Sequence, residues 1–239
     1  MIVHRLSTVA LLLALSACAH NSLYEPSDPL EPVNRSIYAF NTTADRYVLR
    51  PVAKGYVAVV PSPVRQGVTN FLDNLGYPSV ILHDLLQLKF TQAARDTGRF
   101  LLNSTYGLAG FLDPASMVGL YKNDEDLGQT LGRWGVGEGW YLMLPLLGPT
   151  TNRDLVGWVG DWWTSPLQYT DSVTTEQRIA LKGVRVIDIR SRLLDLDSVI
   201  EQQLDPYVFV RTAYLQRRLN QVYDGNPPAD LTEPDLPED

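Results

Sequence analysis

Apolar residues recur at helix spacing along most of this chain. Val33, Ile37, Phe40, Ala44, Tyr47 and Val48 predict a helix with one apolar face. That helix is expected to end at Arg50-Pro51, because the residue before a proline is pushed out of the helical region. Residues 57–60 are strand-like in composition, but Pro61 and Pro63 follow at once and leave the element undecided. Val64, Val68, Phe71, Leu72 and Leu75 mark a second helix face. Leu86, Phe90, Ala93, Thr97 and Leu101 mark a longer one that stops near Asn103 and Gly107. Toward the C-terminus, residues 180–204 and 207–223 read as helices, the second with Val208, Leu215, Leu219 and Val222 on one face. Residues 184–189 partly alternate, yet the surrounding period is helical and a helix is expected. The predicted fold class is all-α.

One segment breaks the pattern. Residues 127–149 hold Gly128, Gly132, Gly135, Gly137, Gly139 and Gly148, interleaved with Trp134, Trp140, Tyr141 and the run Leu142-Met143-Leu144-Pro145-Leu146-Leu147. No amphipathic helix opens after Gly135-x-Gly137, so this is not a dinucleotide loop. Glycines and Pro145 interrupt any span of the ~20 apolar residues that a membrane crossing needs. Two readings remain: a tight loop whose glycines serve turns, or an irregular apolar surface that lipid tails can approach.

Thr151-Asn152-Arg153-Asp154 then resembles a capped helix start, followed by Leu155, Trp158, Val159, Trp162 and Trp163 on one helical face. An aromatic stripe of this kind serves either a core or a bilayer interface, where indole keeps its N–H hydrated. Asp154 and Asp161 on the same helix must face water or a polar cavity.

The N-terminus changes the picture. His4 and Arg5, the apolar residues 6–15, and Leu15-Ser16-Ala17-Cys18 form a bacterial lipoprotein signal, so residues 1–17 are expected to be removed and Cys18 acylated. Several acyl chains hold a protein on a membrane, at ~0.8 kcal/mol per buried CH₂. Ala19 in place of aspartate favours delivery to the outer membrane, by resemblance to bacterial lipoproteins generally. Residues 18–27 then form a tether, 28–223 the folded domain, and 224–239 an acidic, proline-rich tail expected to be disordered. The net charge of -7 owes much to that tail, which has six acidic residues and no Lys or Arg. A nearly neutral body argues against nucleic-acid binding.

Catalytic chemistry is sparse. Cys18 is the only cysteine, and His83 is the only histidine of the body, in an apolar helical run where a surface or hydrogen-bonded core role is expected. No nucleophile elbow accompanies it, and Asp124-Glu125-Asp126 lacks the alternation of a calcium loop. No metal, cofactor or enzymatic activity is expected.

The blocks Asp28-Pro29-Leu30-Glu31-Pro32-Val33-Asn34-Arg35-Ser36-Ile37-Tyr38-Ala39-Phe40-Asn41, Leu49-Arg50-Pro51-Val52, Asn70-Phe71, Arg99-Phe100, Asn103-Ser104-Thr105, Gly128-Gln129-Thr130-Leu131-Gly132, Trp134-Gly135-Val136-Gly137 and Leu144-Pro145-Leu146-Leu147-Gly148-Pro149 resemble the MlaA/VacJ family of outer-membrane lipoproteins. The resemblance implies a helical ring in the periplasmic leaflet with an amphipathic channel for phospholipid. It also implies association with a trimeric porin and delivery to a soluble periplasmic carrier that feeds an inner-membrane ABC transporter. Phe40 and Asn41 match a region tied to channel control. Trp134, Gly135, Gly137, Gly139, Tyr141 and Pro145 match the channel-forming segment, while Trp158, Trp162 and Trp163 are candidates for the membrane interface. Three positions depart from the pattern: Trp140 where proline is common, His83 where asparagine is common, and Leu88 where glycine is common. The last two are expected to lie in a helix that tolerates them. The competing functions are a porin-associated tether and a lipid hydrolase built on His83.

Overall fold

The computed structural model describes residues 28–165, 170 and 173–231. The signal, Cys18, the tether and residues 232–239 of the tail lie outside the described residues. In chain order the helices are α1 (Glu31–Ala44), α2 (Arg50–Val59), α3 (Ser62–Leu86), α4 (Phe90–Thr105), α5 (Pro114–Met117) and α6 (Leu127–Arg133). Strands β1 (Tyr141–Leu144) and β2 (Gly148–Thr151) follow, then α7 (Asn152–Thr164), α8 (Thr175–Arg192), α9 (Asp197–Glu201) and α10 (Pro206–Val222). The protein is mainly helical, as predicted, with one short hairpin that the helical reading did not anticipate.

These elements form two compact units. Of the described residues, 28–41, 127–160 and 205–231 make the first, and 42–126 and 161–204 make the second. In the first unit, β1 and β2 pair antiparallel with Tyr141 opposite Thr151 and Leu144 opposite Gly148. Alternation along β1 buries Tyr141 and Met143, which join Tyr207 of α10 in a small core flanked by Ile37, Tyr38, Val208, Tyr214 and Leu215. Tyr207 meets Tyr38 and Tyr141 edge-on, with centroids 5.8 and 6.1 Å apart.

The glycine-rich segment is therefore ordered into α6, a connecting loop and the hairpin. The signal for α6 was hidden by its glycines, which serve packing: a Cβ on Gly157 of α7 would lie 2.4 Å from the backbone nitrogen of Gly128. The two backbones touch directly, which only glycine permits.

In the second unit α3 packs against α4, and α8 against α2 and α3. Arg50-Pro51 does not end the helical path. A π turn over Asp45–Leu49 shifts the register, and the Arg50 N–H donates to Asp45 O before Pro51 enters the first turn of α2. Proline is tolerated there because a residue in the first turn of a helix needs no N–H for the intrahelical ladder. Arg190 of α8 holds the π turn in place through Nε to Asp45 Oδ1 at 2.6 Å and Nη2 to Asp45 Oδ2 at 2.8 Å. Residues 57–59 are helical, and Val60 is the extended residue that ends α2. Arg65 Nη1 donates to the Val57 and Val60 carbonyls at 2.9 and 2.8 Å and closes the corner. Residues 184–189 lie within α8, as the helical period required.

The predicted run from Leu86 to Leu101 is broken. Helix α3 ends in a Schellman turn: Leu88 N–H donates to Leu85 O at 3.0 Å and Lys89 N–H to Asp84 O at 2.8 Å, with Leu88 at φ 62°. Leu88 thus stands in a left-handed position rather than in a helix, which explains why glycine suits this site in the family pattern. A leucine there is strained by ~1–2 kcal/mol, and its exposed side chain recovers little through packing. Leu88→Gly is expected to stabilise the fold by about 1 kcal/mol after the added unfolded-state entropy is subtracted. Denaturant midpoints of the two proteins test this.

Candidate functional site

The long motif on α1 acts through its asparagines. Asn34 donates from Nδ2 to the Tyr141 carbonyl at 3.1 Å, and its Oδ1 accepts the Met143 N–H at 2.9 Å. Asn41, two helical turns on, repeats the contact: Nδ2 to Leu144 O at 2.9 Å and Leu146 N–H to Oδ1 at 2.7 Å. Each side-chain amide pairs with the hairpin backbone as a neighbouring strand would. Asp28 orients Asn34 through a 2.9 Å bond and also takes the Tyr207 hydroxyl and Arg211. The spacing of Asn34 and Asn41 was visible in the sequence, but their target was not, because the hairpin was not foreseen.

Several predicted site residues converge on this hairpin. Pro145, Leu146 and Leu147 form its exposed turn, with Leu146 at φ 63° beneath the Asn41 amide. Phe40, beside Asn41, is about half exposed. Tyr141 is instead a core residue at 2 % exposure, its ring near both Tyr207 and Tyr214. In the loop before β1, Gly135 and Gly139 take left-handed φ of 89° and 71°. Gly137 lies between them, partly buried, and Trp134 is exposed. Trp140 is also exposed, and its carbonyl, which a proline would equally offer, accepts the Asn152 N–H at 3.2 Å.

Helix α7 starts as predicted, with Thr151 Oγ1 accepting the Asp154 N–H at 3.2 Å. Trp158, Trp162 and Trp163 are all exposed, so they do not form a core. Asp154 faces inward and receives Arg218 at both oxygens, Nη2 to Oδ1 at 2.8 Å and Nε to Oδ2 at 2.9 Å, with Tyr214 donating to Oδ2 at 2.8 Å. Burial pushes this carboxyl up, but the hydrogen bonds and charge of Arg218, with Arg153 and Tyr214, hold it below the usual aspartate range.

In the second unit, His83 is fully buried, with Nε2 2.9 Å from Asp161 Oδ1. Asp84 Oδ1 accepts Asn123 Nδ2 at 3.4 Å. A cavity of about 210 Å³ in this unit is lined by Tyr77 and polar side chains, among them Gln66, Asn70, Asn74, Asp73, Lys122 and Arg192. Its charges are opposed in pairs: Arg99 with Asp113 at 2.8 Å, Lys122 with Asp73 at 3.0 Å, and Arg192 with Asp188 at 3.2 Å.

Burial runs against the habit of a water-soluble protein. Among the described residues, the buried polar and charged side chains include Asn34, Asn74, Asp84, Asp96, Arg99, Asp154 and Arg218, whereas the only buried apolar side chains larger than valine are Leu72, Met143 and the tyrosines 77, 141 and 207. Tyr47, Val59, Tyr106, Met117 and Tyr121 are at least 75 % exposed, and the tryptophans are 48–61 % exposed. Apolar surface on this scale marks contact with another apolar phase or partner. No described helix is long and apolar enough to cross a membrane.

Asn41→Ala is expected to cost only about 1 kcal/mol, since Leu146 is exposed to water, yet to speed hydrogen exchange at the Leu146 amide; Phe40→Ala should leave stability nearly unchanged. Asp154→Ala is expected to destabilise by about 3–5 kcal/mol, because it leaves Arg218 buried without its carboxylate. The Asp154 contribution is fully present above the ordinary aspartate pKa of about 4 and is lost as pH falls through the lower folded value. Acid unfolding of the wild type and of Asp154→Asn, compared side by side, reads that difference.

Comparison with known proteins fits these features. The sequence profile of the MlaA lipoprotein family matches residues 26–221. The chain is 39 % identical to the intermembrane phospholipid transport system lipoprotein MlaA of Escherichia coli (strain K12) over 220 residues, covering 89 % of this chain and 86 % of the relative. It is 33 % identical to the protein of that name from Haemophilus influenzae over 233 residues, covering 89 % and 88 %. A solved structure described as "Structural basis for maintenance of bacterial outer membrane lipid asymmetry" superposes with a TM-score of 0.74 at 36 % identity, covering 83 % of this chain and 99 % of that one. A match across both asparagine positions, the hairpin and α10 leaves one conclusion: this chain belongs to the MlaA lipoprotein family.

Proposed function

We propose that this chain is the lipid-anchored outer-membrane component of a phospholipid transport system, which removes mislocalised phospholipid from the outer leaflet and so maintains lipid asymmetry. The observation that carries the reading is the inverted burial: polar groups inside each unit, aromatic and aliphatic side chains outside. Such a surface is favourable in a bilayer leaflet and costly in water. The names of the relatives support it, as does the subject of the solved neighbour.

On this reading, acyl chains on Cys18 hold the protein at the periplasmic face, and Trp158, Trp162 and Trp163 set its depth, their rings in the headgroup zone. Phospholipid tails cannot cross water cheaply, at ~0.8 kcal/mol per CH₂ exposed. A conduit must therefore offer apolar surface to the tails and polar groups to the headgroup. The loop holding Trp134, Gly135, Gly137 and Gly139 and the exposed turn at Pro145 supply the former, with Phe40 and Asn41 controlling the turn. A passive path only equilibrates its two ends, so net direction comes from partners: a trimeric porin beside the protein, and a soluble periplasmic carrier that feeds an inner-membrane ABC transporter. His83, engaged with Asp161, is read as structural rather than as the base of a hydrolase.

The test is the phospholipid content of the outer leaflet in cells lacking this protein, probed with a reagent that does not cross the outer membrane. Phospholipid is expected to rise, and a restored copy but not Cys18→Ala is expected to reverse it. An unchanged outer leaflet would overturn the proposal, and full rescue by Cys18→Ala would remove the anchor from it.

A further inference from the structure

Two carboxyl groups are wholly buried where α3 packs on α4. Asp84, in the last turn of α3, and Asp96 of α4 are both 0 % exposed. They converge on one nitrogen: Asn123 Nδ2 donates to Asp84 Oδ1 at 3.4 Å and to Asp96 Oδ2 at 3.2 Å. Gln92 adds a 3.0 Å bond to Asp96 Oδ2. Among the described residues, no N–H donor reaches the other two oxygens, Asp84 Oδ2 and Asp96 Oδ1.

The charged and titratable groups around the pair are engaged with other partners. Lys89, in the turn after α3, gives Nζ to Glu125 Oε1 at 2.8 Å, and the buried Glu125 also accepts Gln87 Nε2 at 2.7 Å. His83 faces Asp161 at 2.9 Å. Arg99 of α4 binds Asp113 and lies over the ring of Tyr77, whose hydroxyl accepts the Asn123 N–H at 3.3 Å. Three buried carboxyl groups thus stand against Lys89, and two ionised carboxylates sharing one dry site repel strongly.

We propose that Asp84 and Asp96 hold a single proton between them, and that this shared proton is a latch joining α3 to α4 whose loss loosens the second unit. The proton supplies the O–H donor that the two unpartnered oxygens lack, and it removes one of the two adjoining charges. Burial first, then the hydrogen bond and charge of Asp96 and the charge of Glu125, push Asp84 up to about 8, against the opposing pull of Lys89. The folded chain then keeps a proton that the unfolded chain releases near pH 4. Its contribution is fully present in acid and is lost as pH rises from about 4 through about 8, by about tenfold in the folding constant per pH unit. This slope is opposite in sign to that of Asp154. The inference concerns stability and does not depend on the transport reading.

The experiment is chemical denaturation of the full chain in detergent from pH 5 to pH 9, for wild type and Asp84→Asn. The wild-type folding constant is expected to fall about tenfold per pH unit up to pH 8. Asp84→Asn, which keeps an amide donor toward Asp96, should flatten that fall and be the more stable protein at pH 9. Should the variant not fold, infrared spectroscopy of the wild type decides the matter: a protonated-carboxyl C=O band is expected at pH 6.5 and should vanish at pH 9. Equal slopes in the two proteins, or no such band, would overturn the proposal. So would stabilisation of the wild type at pH 8 by calcium or magnesium that a chelator reverses, because a cation rather than a proton would then join the two carboxylates.

Discussion

Burying a guanidinium or a carboxylate is unfavourable by several kcal/mol unless a partner takes up its hydrogen bonds, and both units of this chain bury several. Asp154 is matched by Arg218, Asp113 by Arg99, and Asp45 by Arg190, each within 2.9 Å. The few buried apolar side chains could not by themselves hold helices of this length together. Geometry between charged groups therefore takes the part that a hydrophobic core plays elsewhere, and it is more exacting, because an ion pair displaced by an ångström leaves two uncompensated charges. The register of the π turn illustrates this: Arg190 reaches Asp45 only because the turn presents that carboxylate toward α8.

The hairpin follows the same logic with neutral groups. A two-stranded ribbon is marginal alone, and here the amides of Asn34 and Asn41 complete its free backbone groups. Because Asn41 grips the turn next to exposed Leu146 and Leu147, the most solvent-accessible part of the hairpin is secured by one side chain rather than by packing. A segment held in this way can change conformation at low cost while β1 stays fixed through Tyr141 and Met143. The hairpin is thus divided between a packed base and a lightly held tip.

The helix that carries the tryptophans shows how polar and apolar demands are separated on one element. Asp154, on its first turn, points to Arg218 and Tyr214 inside, while Trp158, Trp162 and Trp163 remain exposed. Gly157 lies against Gly128, so α7 and α6 meet there backbone to backbone. Each face of the helix thus has one partner: charge, backbone or an apolar exterior.

Helical periodicity located α1, the α3–α4 region, α8 and α10, because an amphipathic face repeats every three to four residues whatever it packs against. The family blocks singled out Leu144 to Pro149 and Phe40-Asn41 as strings of residues, but not the hairpin that the first of these builds. Periodicity misjudged Arg50-Pro51 and residues 86–101, where a π turn and a left-handed Leu88 change direction without interrupting the apolar pattern. It missed α6 because glycines signal turns in sequence but here allow two backbones to touch. Whether the tryptophan stripe was core or surface, and which carboxylate would meet which guanidinium, was decided by tertiary structure alone. Those outcomes depend on partners that are distant along the chain, such as Asp154 with Arg218 and Asp45 with Arg190, and no local pattern of residues records how far apart they come to rest.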